Sequence, residues 1–256
     1  MSALPLNVIA LGGASALPPL LIVHGLFGSG RNWGAIAKRL GQTRAVYCVD
    51  MRNHAGSPWA DSHGYDDLAG DLAGVIEGLG GPVDLLGHSM GGKATMMLAL
   101  THGALVKRLL VADIAPVAYE HSQNHLIAAM RALPLAGLSS RMEADAALQT
   151  SVPDKATRAF LLQSLDLRDG GRWLLNLDVL EREMGRITGW PDVSGQFEGP
   201  ALFLSGGRSD YVQPAHRPQI KALFPAARFA KLPDAGHWLH ADAPYGFVET
   251  CLHWFD

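Results

Sequence analysis

Val83-Asp84-Leu85-Leu86-Gly87-His88-Ser89-Met90-Gly91-Gly92-Lys93 is the stretch that decides the fold. Its first four residues are a short, mostly apolar run of the kind that forms a buried strand. Residues 92–100 then carry Met97, Leu98 and Leu100 at helical spacing. Between strand and helix lies Gly87-His88-Ser89-Met90-Gly91, a G-x-S-x-G pattern. Alone it is a weak signal in a chain with 29 glycines. Placed between a strand and a helix it reads as a sharp turn that lifts Ser89 above the sheet edge. Side chains at Gly87 and Gly91 would collide across such a turn. The helix start behind Ser89 favours negative charge beside a nucleophile. The alternative is an ordinary glycine-rich turn.

Working outward, further apolar runs end at small or polar residues. They are Leu20–Val23 before His24-Gly25, Arg44–Val49 before Asp50, Val106–Ala112 before Asp113, Ala201–Leu204 before Ser205-Gly206-Gly207, and Arg228–Leu232 before Pro233. Continuous apolar runs suit parallel strands covered on both faces. Asn7–Leu11 reads as an antiparallel edge strand. Leu68, Leu72, Val75, Ile76 and Leu79 recur at helical spacing, and Val212–Leu223 and Ala243–Phe255 read likewise. The alternation predicts an α/β fold with a mostly parallel central sheet flanked by helices. From Val117 onward the pattern changes. No strand is predicted to about residue 199, and four helices are, around Leu126/Ile127/Met130/Leu133, Ala144/Ala147/Leu148, Phe160/Leu161/Leu165 and Leu174/Leu177/Leu180, with Pro134, Pro153 and Pro191 between them. The expected organisation is a core of residues 1–116 and 198–256, with a helical lid of residues 117–197 inserted between two late strands.

Composition narrows the function. The 256 residues are 48% hydrophobic and 18% charged, which fits one large folded unit rather than a disordered chain. Twenty-one Lys and Arg against 24 Asp and Glu leave a net charge of -3, so no basic excess is available for nucleic acid. No apolar run is long enough to span a membrane. Met1–Val23 lacks Lys and Arg and is interrupted by Pro5, Pro18 and Pro19, a poor secretory signal. The two cysteines, Cys48 and Cys251, read as buried thiols in a reducing compartment, which predicts a cytoplasmic protein.

Two more motifs complete a site. His24-Gly25-Leu26-Phe27-Gly28 follows a strand and suits an oxyanion loop. The backbone N–H groups of Leu26 and Met90 are the candidate donors to a tetrahedral oxyanion, with His24 a structural loop residue. Asp234-Ala235-Gly236-His237-Trp238 follows the last strand. A serine hydroxyl needs a base, and His237 stands late in the chain as the order Ser, acid, His requires. His88 lies inside the turn, His102, His121, His125 and His216 read as helical, and His253 sits in the last helix. His237 and His240 alone do not complete a metal site, so no metal and no cofactor are expected. Two aspartates compete for the acid: Asp113 at the end of one strand, and Asp210 in Gly207-Arg208-Ser209-Asp210-Tyr211-Val212. Either carboxylate would hold the imidazole tautomer, and either also suits a turn or helix cap.

These motifs, together with Asp50-Met51-Arg52-Asn53-His54, Asp113-Ile114-Ala115-Pro116-Val117 and Asn176-Leu177-Asp178, resemble the α/β-hydrolase superfamily. The similarity is greatest to a branch of small serine esterases and thioesterases with a short helical lid, and it covers nearly the whole chain. It implies the α/β-hydrolase fold, catalytic roles for Ser89 and His237, and Asp113 as the acid, because relatives in this branch often lack an aspartate at the Asp210 position. One departure stands out. The branch reads Arg-Asn-His-Gly-x-Ser where this chain has Arg52-Asn53-His54-Ala55-Gly56-Ser57, so these residues are expected to shape a loop near the cleft. The resulting expectation is a serine hydrolase acting on a small-molecule ester of short or medium acyl chain, or on an acyl thioester, through an acyl-enzyme on Ser89. Lid residues Leu126, Met130, Leu133, Phe160 and Trp173 would wall the cleft. The alternatives are carbon–carbon bond or lactone hydrolysis with the same triad, and a ligand-binding module with little turnover.

Overall fold

A computed structural model describes residues 3–13 and 15–256; the part of the N-terminal reading that falls on Met1, Ser2 and Ala14 lies outside them. In chain order the elements are β1 (Val8–Leu11), β2 (Leu20–Val23), α1 (Gly34–Leu40), β3 (Val46–Val49), α2 (Tyr65–Gly78), β4 (Val83–His88), α3 (Met90–Thr101) and β5 (Val106–Ala112). The segment that follows holds α4 (Asn124–Ala132), α5 (Arg141–Leu148), α6 (Lys155–Leu161), a ribbon of β6 (Leu165–Asp166) and β7 (Arg172–Trp173), α7 (Leu177–Arg182) and α8 (Met184–Thr188). The chain then returns with β8 (Ala201–Gly206), α9 (Arg217–Leu223), β9 (Ala227–Leu232), α10 (Leu239–Asp242) and α11 (Pro244–Phe255).

Seven strands form one sheet in the order β1-β3-β2-β4-β5-β8-β9, parallel throughout except for β1. The apolar runs are strands because alternate side chains find cover on opposite faces. Leu21, Val23, Leu85, Leu109, Val111 and Phe203 join the core on the side of α2, α3 and α9. Leu20, Ile22, Val46, Cys48, Leu86, Leu110 and Leu204 join the other core, against α1 and α11. In β2, β4 and β8 neither face is left for solvent, which is why these runs lack polar alternation. Beneath β4 the one carboxylate in its run is fully buried. Asp84 accepts from Arg44 at 2.5 Å and from Arg108 at 3.0 Å, so its charge is paired at the edge of the core.

The sequence reading needs two corrections between β5 and β8. A two-stranded ribbon stands where the sequence predicts no strand, and a fifth helix, α8, follows α7. Strands of two residues are too short to leave a periodic signal. Leu165 accordingly lies in β6, and Leu133 and Leu174 lie outside any helix. Apolar side chains of this segment, among them Ile127, Leu161 and Leu180, merge with the core over the sheet.

The strand order places the functional loops. β2 and β4 are neighbours, while β3 lies on the far side of β2, so the order of connection reverses between them. At such a switch point the loops leaving the carboxyl ends of two strands diverge and open a crevice. The loop after β2 and the turn after β4 are the two that carry Leu26 and Ser89.

Candidate active site

Ser89 leaves β4 with φ 54° and ψ −123°, a conformation L residues rarely adopt. Its N–H donates to the Ala112 carbonyl at 3.1 Å, and its carbonyl accepts the Lys93 N–H at 3.0 Å, the first turn of α3. The two flanking glycines are obligatory for packing. A Cβ on Gly87 would stand 2.4 Å from the Gly91 carbonyl and from Thr95 Oγ1, and one on Gly91 would stand 2.4 Å from the His24 carbonyl. The hydroxyl of Ser89 faces His237, which comes from the loop after β9, and Ser89 Oγ lies 3.0 Å from His237 Nε2.

Of the two candidate acids, the structure brings Asp113 to the imidazole. Asp113 Oδ2 is 2.8 Å from His237 Nδ1. Asp113 is fully buried and sits at φ 53°, its N–H held by the Leu204 carbonyl at 2.8 Å. Because β5 and β8 are adjacent, the loop after β8 also serves this carboxylate. The Gly206 N–H donates to Oδ1 at 2.9 Å, and the Ser209 hydroxyl donates to Oδ2. Asp210, one residue further, is exposed and makes no hydrogen bond among the described residues. The acceptor at Nδ1 settles the tautomer of His237: the proton sits on Nδ1 and Nε2 is free to take one from Ser89.

Two neighbours of the imidazole escaped the sequence reading. Tyr211 stacks on the His237 ring, with centroids 4.0 Å apart and planes 19° from parallel. His88 donates from Nε2 to the His237 carbonyl at 2.8 Å, pinning the loop that carries His237. Burial, with the His237 and His240 rings nearby, drives the His88 pKa well below its usual value, so it remains a neutral donor. Nothing in a local motif signals such contacts, since they join residues from the end of β4 and from the loops after β8 and β9.

Leu26 and Met90 border the same cleft. Neither backbone N–H has an acceptor among the described residues. Met90 is the first residue of α3, where a helix leaves N–H groups free. The cleft holds about 880 Å³ of empty space, counting its mouth. No Asp or Glu lines it among the described residues. Of the five side chains expected to wall it from residues 117–197, Leu126 and Phe160 do so. Met130, Leu133 and Trp173 are packed beneath instead, with Trp173 Nε1 donating to the Met130 carbonyl at 2.8 Å. His121 also needs correction: it lies before α4, not in a helix, and its ring meets the Tyr211 hydroxyl at the rim of the cleft, 2.9 Å away. His102 likewise lies just beyond the end of α3.

Lys93 is buried beside the cleft without a carboxylate partner. Its ammonium donates to the Val117 carbonyl at 2.8 Å, to Thr188 at 2.8 Å and to Gly189 at 2.6 Å. It thereby ties the helix behind Ser89 to the chain shortly after β5 and to the end of α8. Burial pulls its pKa down to about 7. Arg52, Asn53 and His54 are buried as well. Arg52 makes a two-pronged pair with Asp71 at 2.7 and 2.9 Å, and the loop around it meets residues 174–176 through Ala55 N–H to the Leu174 carbonyl and Asn176 N–H to the Asn53 carbonyl, at 2.7 and 3.0 Å. His237 and His240 turn to different partners: the His240 ring stacks on Trp33 at 4.1 Å. Among the described residues no group of three His, Cys, Asp or Glu side chains converges as metal ligands.

The architecture and the strand–serine–helix turn define a class, and comparison with known proteins gives the same one. The family model described as "Alpha/beta hydrolase family" matches residues 20–250. Among relatives, "sn-1-specific diacylglycerol lipase ABHD11" of Mus musculus is 41% identical over 258 residues, 96% of this chain and 84% of that protein. "Esterase YbfF" of Escherichia coli K12 is 36% identical over 231 residues, 88% of each chain. A solved structure titled "Marine microorganism esterase" superposes with a TM-score of 0.93 at 37% identity, covering 98% of this chain and 100% of that one. The chain belongs to the alpha/beta hydrolase family. It is a serine ester hydrolase acting on carboxylic esters.

Proposed function

We propose that this enzyme hydrolyses neutral carboxylic esters of short or medium acyl chain through an acyl-enzyme on Ser89. The observation that carries the reading is the unbroken chain Ser89 Oγ to His237 Nε2 at 3.0 Å and His237 Nδ1 to Asp113 Oδ2 at 2.8 Å. His237 takes the Ser89 proton as Oγ attacks the ester carbonyl, and Asp113 stabilises the imidazolium that forms. The Leu26 and Met90 N–H groups, both without partners, receive the oxyanion. The imidazolium then gives its proton to the leaving alcohol, and water cleaves the acyl-enzyme by the same sequence.

Leu126, Phe160 and Ile187 make one wall of the cleft apolar, which suits an acyl chain rather than a charged group. We read residues 117–197 as a lid over a core of residues 1–116 and 198–256. The mouse relative's name points to an acylglycerol, and an ester of that class is one substrate to test. An acyl thioester uses the same nucleophile and oxyanion donors and is the second substrate class. Carbon–carbon cleavage, lactone opening and simple binding are less favoured, since the relatives named above are esterases and a lipase. Cys48 and Cys251 are buried and unpaired, which fits residence in a reducing compartment such as the cytoplasm.

The test is labelling with a fluorophosphonate probe alongside turnover of p-nitrophenyl esters from acetate to laurate. Wild type is expected to label and to turn over the shorter esters best, while Ser89→Ala does neither. Turnover that survives in Ser89→Ala would overturn the reading.

A further inference from the structure

Three histidines that the ester chemistry does not use lie buried side by side next to the loop carrying Leu26. They are His24, His54 and His63, with ring centroids 5.1 Å apart for the first pair and 5.4 Å for the second. The hydrogen bonds fix the proton positions of the first two. His24 Nε2 accepts the Met51 N–H at 2.9 Å, so its proton is on Nδ1, which donates to the Gly25 carbonyl at 2.8 Å. His54 Nε2 accepts the Phe27 N–H at 3.2 Å, so its proton is on Nδ1, which donates to the Arg52 carbonyl at 2.9 Å. Burial lowers the pKa of both rings, which keeps them neutral and able to accept.

These bonds act on two successive peptide planes. In a trans peptide the N–H points opposite to the carbonyl. The Gly25 carbonyl is held by the His24 ring and by the Gly28 N–H at 3.0 Å, so the Leu26 N–H of that plane must point the other way. The next plane carries the Phe27 N–H and is held by His54. Phe27 itself sits at φ 64°, a strained value for a bulky residue, and its carbonyl accepts the Ser164 hydroxyl at 2.8 Å. Without an acceptor for its N–H, Phe27 has less to keep it in that conformation.

We propose that His54 is a positioning residue of the oxyanion hole, holding the Phe27 N–H so that the preceding Leu26 N–H stays aimed into the cleft. This rests on the reading of Leu26 and Met90 as oxyanion donors. It also gives a role to the Arg52-Asn53-His54 motif: Arg52, locked by Asp71, offers the carbonyl that orients the His54 ring.

Matched p-nitrophenyl butyrate and thionobutyrate test the proposal, because sulfur is a poor acceptor and draws little from oxyanion donors. Wild type is expected to prefer the oxygen ester. His54→Leu should lose about 10- to 100-fold in kcat/KM on the oxygen ester and much less on the thiono ester. His54→Gln, whose amide oxygen reaches the place of Nε2, should restore the wild-type ratio to within about 3-fold. His54→Asn, too short to reach, should not, and the Gln and Asn pair decides the matter even where His54→Leu fails to fold. Equal losses on both esters, or a wild-type ratio in His54→Asn, would overturn the positioning role. A wild type with no preference for the oxygen ester would overturn the oxyanion reading beneath it, which separates the two failures.

Discussion

Replacing Asp113 by Asn changes one atom and forces a choice on the hydrogen bonds around it. Asp113 accepts at both oxygens, from the Gly206 N–H at 2.9 Å on one side and from His237 Nδ1–H and the Ser209 hydroxyl on the other. An amide has one acceptor oxygen and one donor nitrogen. The Gly206 N–H is a backbone donor that cannot rotate, so the amide oxygen must face it and the amide N–H₂ must face His237. The hydroxyl of Ser209 can turn and accept. The imidazole can meet an N–H₂ only by giving up its Nδ1 proton. The proton then lies on Nε2, pointed at Ser89, and His237 is no longer a base for that hydroxyl. In a Ser-His-Asp triad the wrong tautomer costs about 10⁴-fold in kcat, or about 5.5 kcal/mol of transition-state stabilisation, and a loss of that order is expected here. Stability should change little, because every buried group keeps a partner. Asp210→Asn, an exposed change with no hydrogen bond to lose, should stay within about 2-fold of wild type. The assay is steady-state kcat on p-nitrophenyl butyrate for both variants, with thermal midpoints to confirm folding. A near-normal Asp113→Asn beside a crippled Asp210→Asn would refute the argument.

Two further outcomes follow from the packing. Burial pushes the His240 pKa down to about 4 and the His63 pKa down to about 3, with the His237 ring beside the first and Arg52 and His24 beside the second adding to it. The unfolded chain takes up these protons near pH 6.5 and the folded chain only well below, so stability is full above about pH 6.5 and falls as pH drops towards about 4. His240 alone accounts for about 3 kcal/mol of that loss, and urea midpoints that do not move between about pH 7 and about pH 4.5 would contradict it. Gly91→Ala places a methyl against the immobile His24 and Val23 carbonyls. It should cost about 2 to 4 kcal/mol and most of the activity, read from thermal melts and ester turnover, and a wild-type melt would show that the turn has room.

The sheet was legible because each strand buried on both faces is a continuous apolar run ended by a polar residue or glycine, as in Leu20–Val23 before His24. Ser89 and His237 were legible because their loops follow such runs. The acid was legible only through the family resemblance, because Asp113 and Asp210 both follow strands. What distinguishes them is the side on which each carboxylate lies once β5 and β8 are paired, a property of the sheet and not of either motif. The segment between β5 and β8 was read less well. The wall of the cleft there is set by which helix face meets the core, and Met130 and Leu126 differ in that respect although both fit one helical stripe. His88, Tyr211 and Lys93 were missed as supports because their partners belong to other elements: the His237 carbonyl, the His237 ring and the carbonyls of Val117, Thr188 and Gly189.

Backbone strain gives an independent view of where the chemistry lies. Six non-glycine residues have positive φ among those described: Phe27, Asn53, Ala55, Ser89, Asp113 and Asp169. Five of them, all but Asp169, lie in the loops leaving the carboxyl ends of β2, β3, β4 and β5, the edge at which the crevice opens. Each such residue costs of order 1–3 kcal/mol and persists only where its surroundings over-determine it. The surroundings here are specific hydrogen bonds. His54 holds the Phe27 N–H, Ala112 holds that of Ser89, Leu204 that of Asp113, Pro58 that of Asn53 and Leu174 that of Ala55. Ala55 is the informative case, since it occupies the position where the resembling branch carries glycine, yet the left-handed turn survives with φ 46°. A turn kept against the preference of its own residue is held from outside, here by the Leu174 carbonyl of the segment between β5 and β8. The strained loops, the buried histidines and that segment therefore form one connected support. At one end it fixes the Leu26 and Phe27 backbone, and at the other it fixes the chain that walls the cleft.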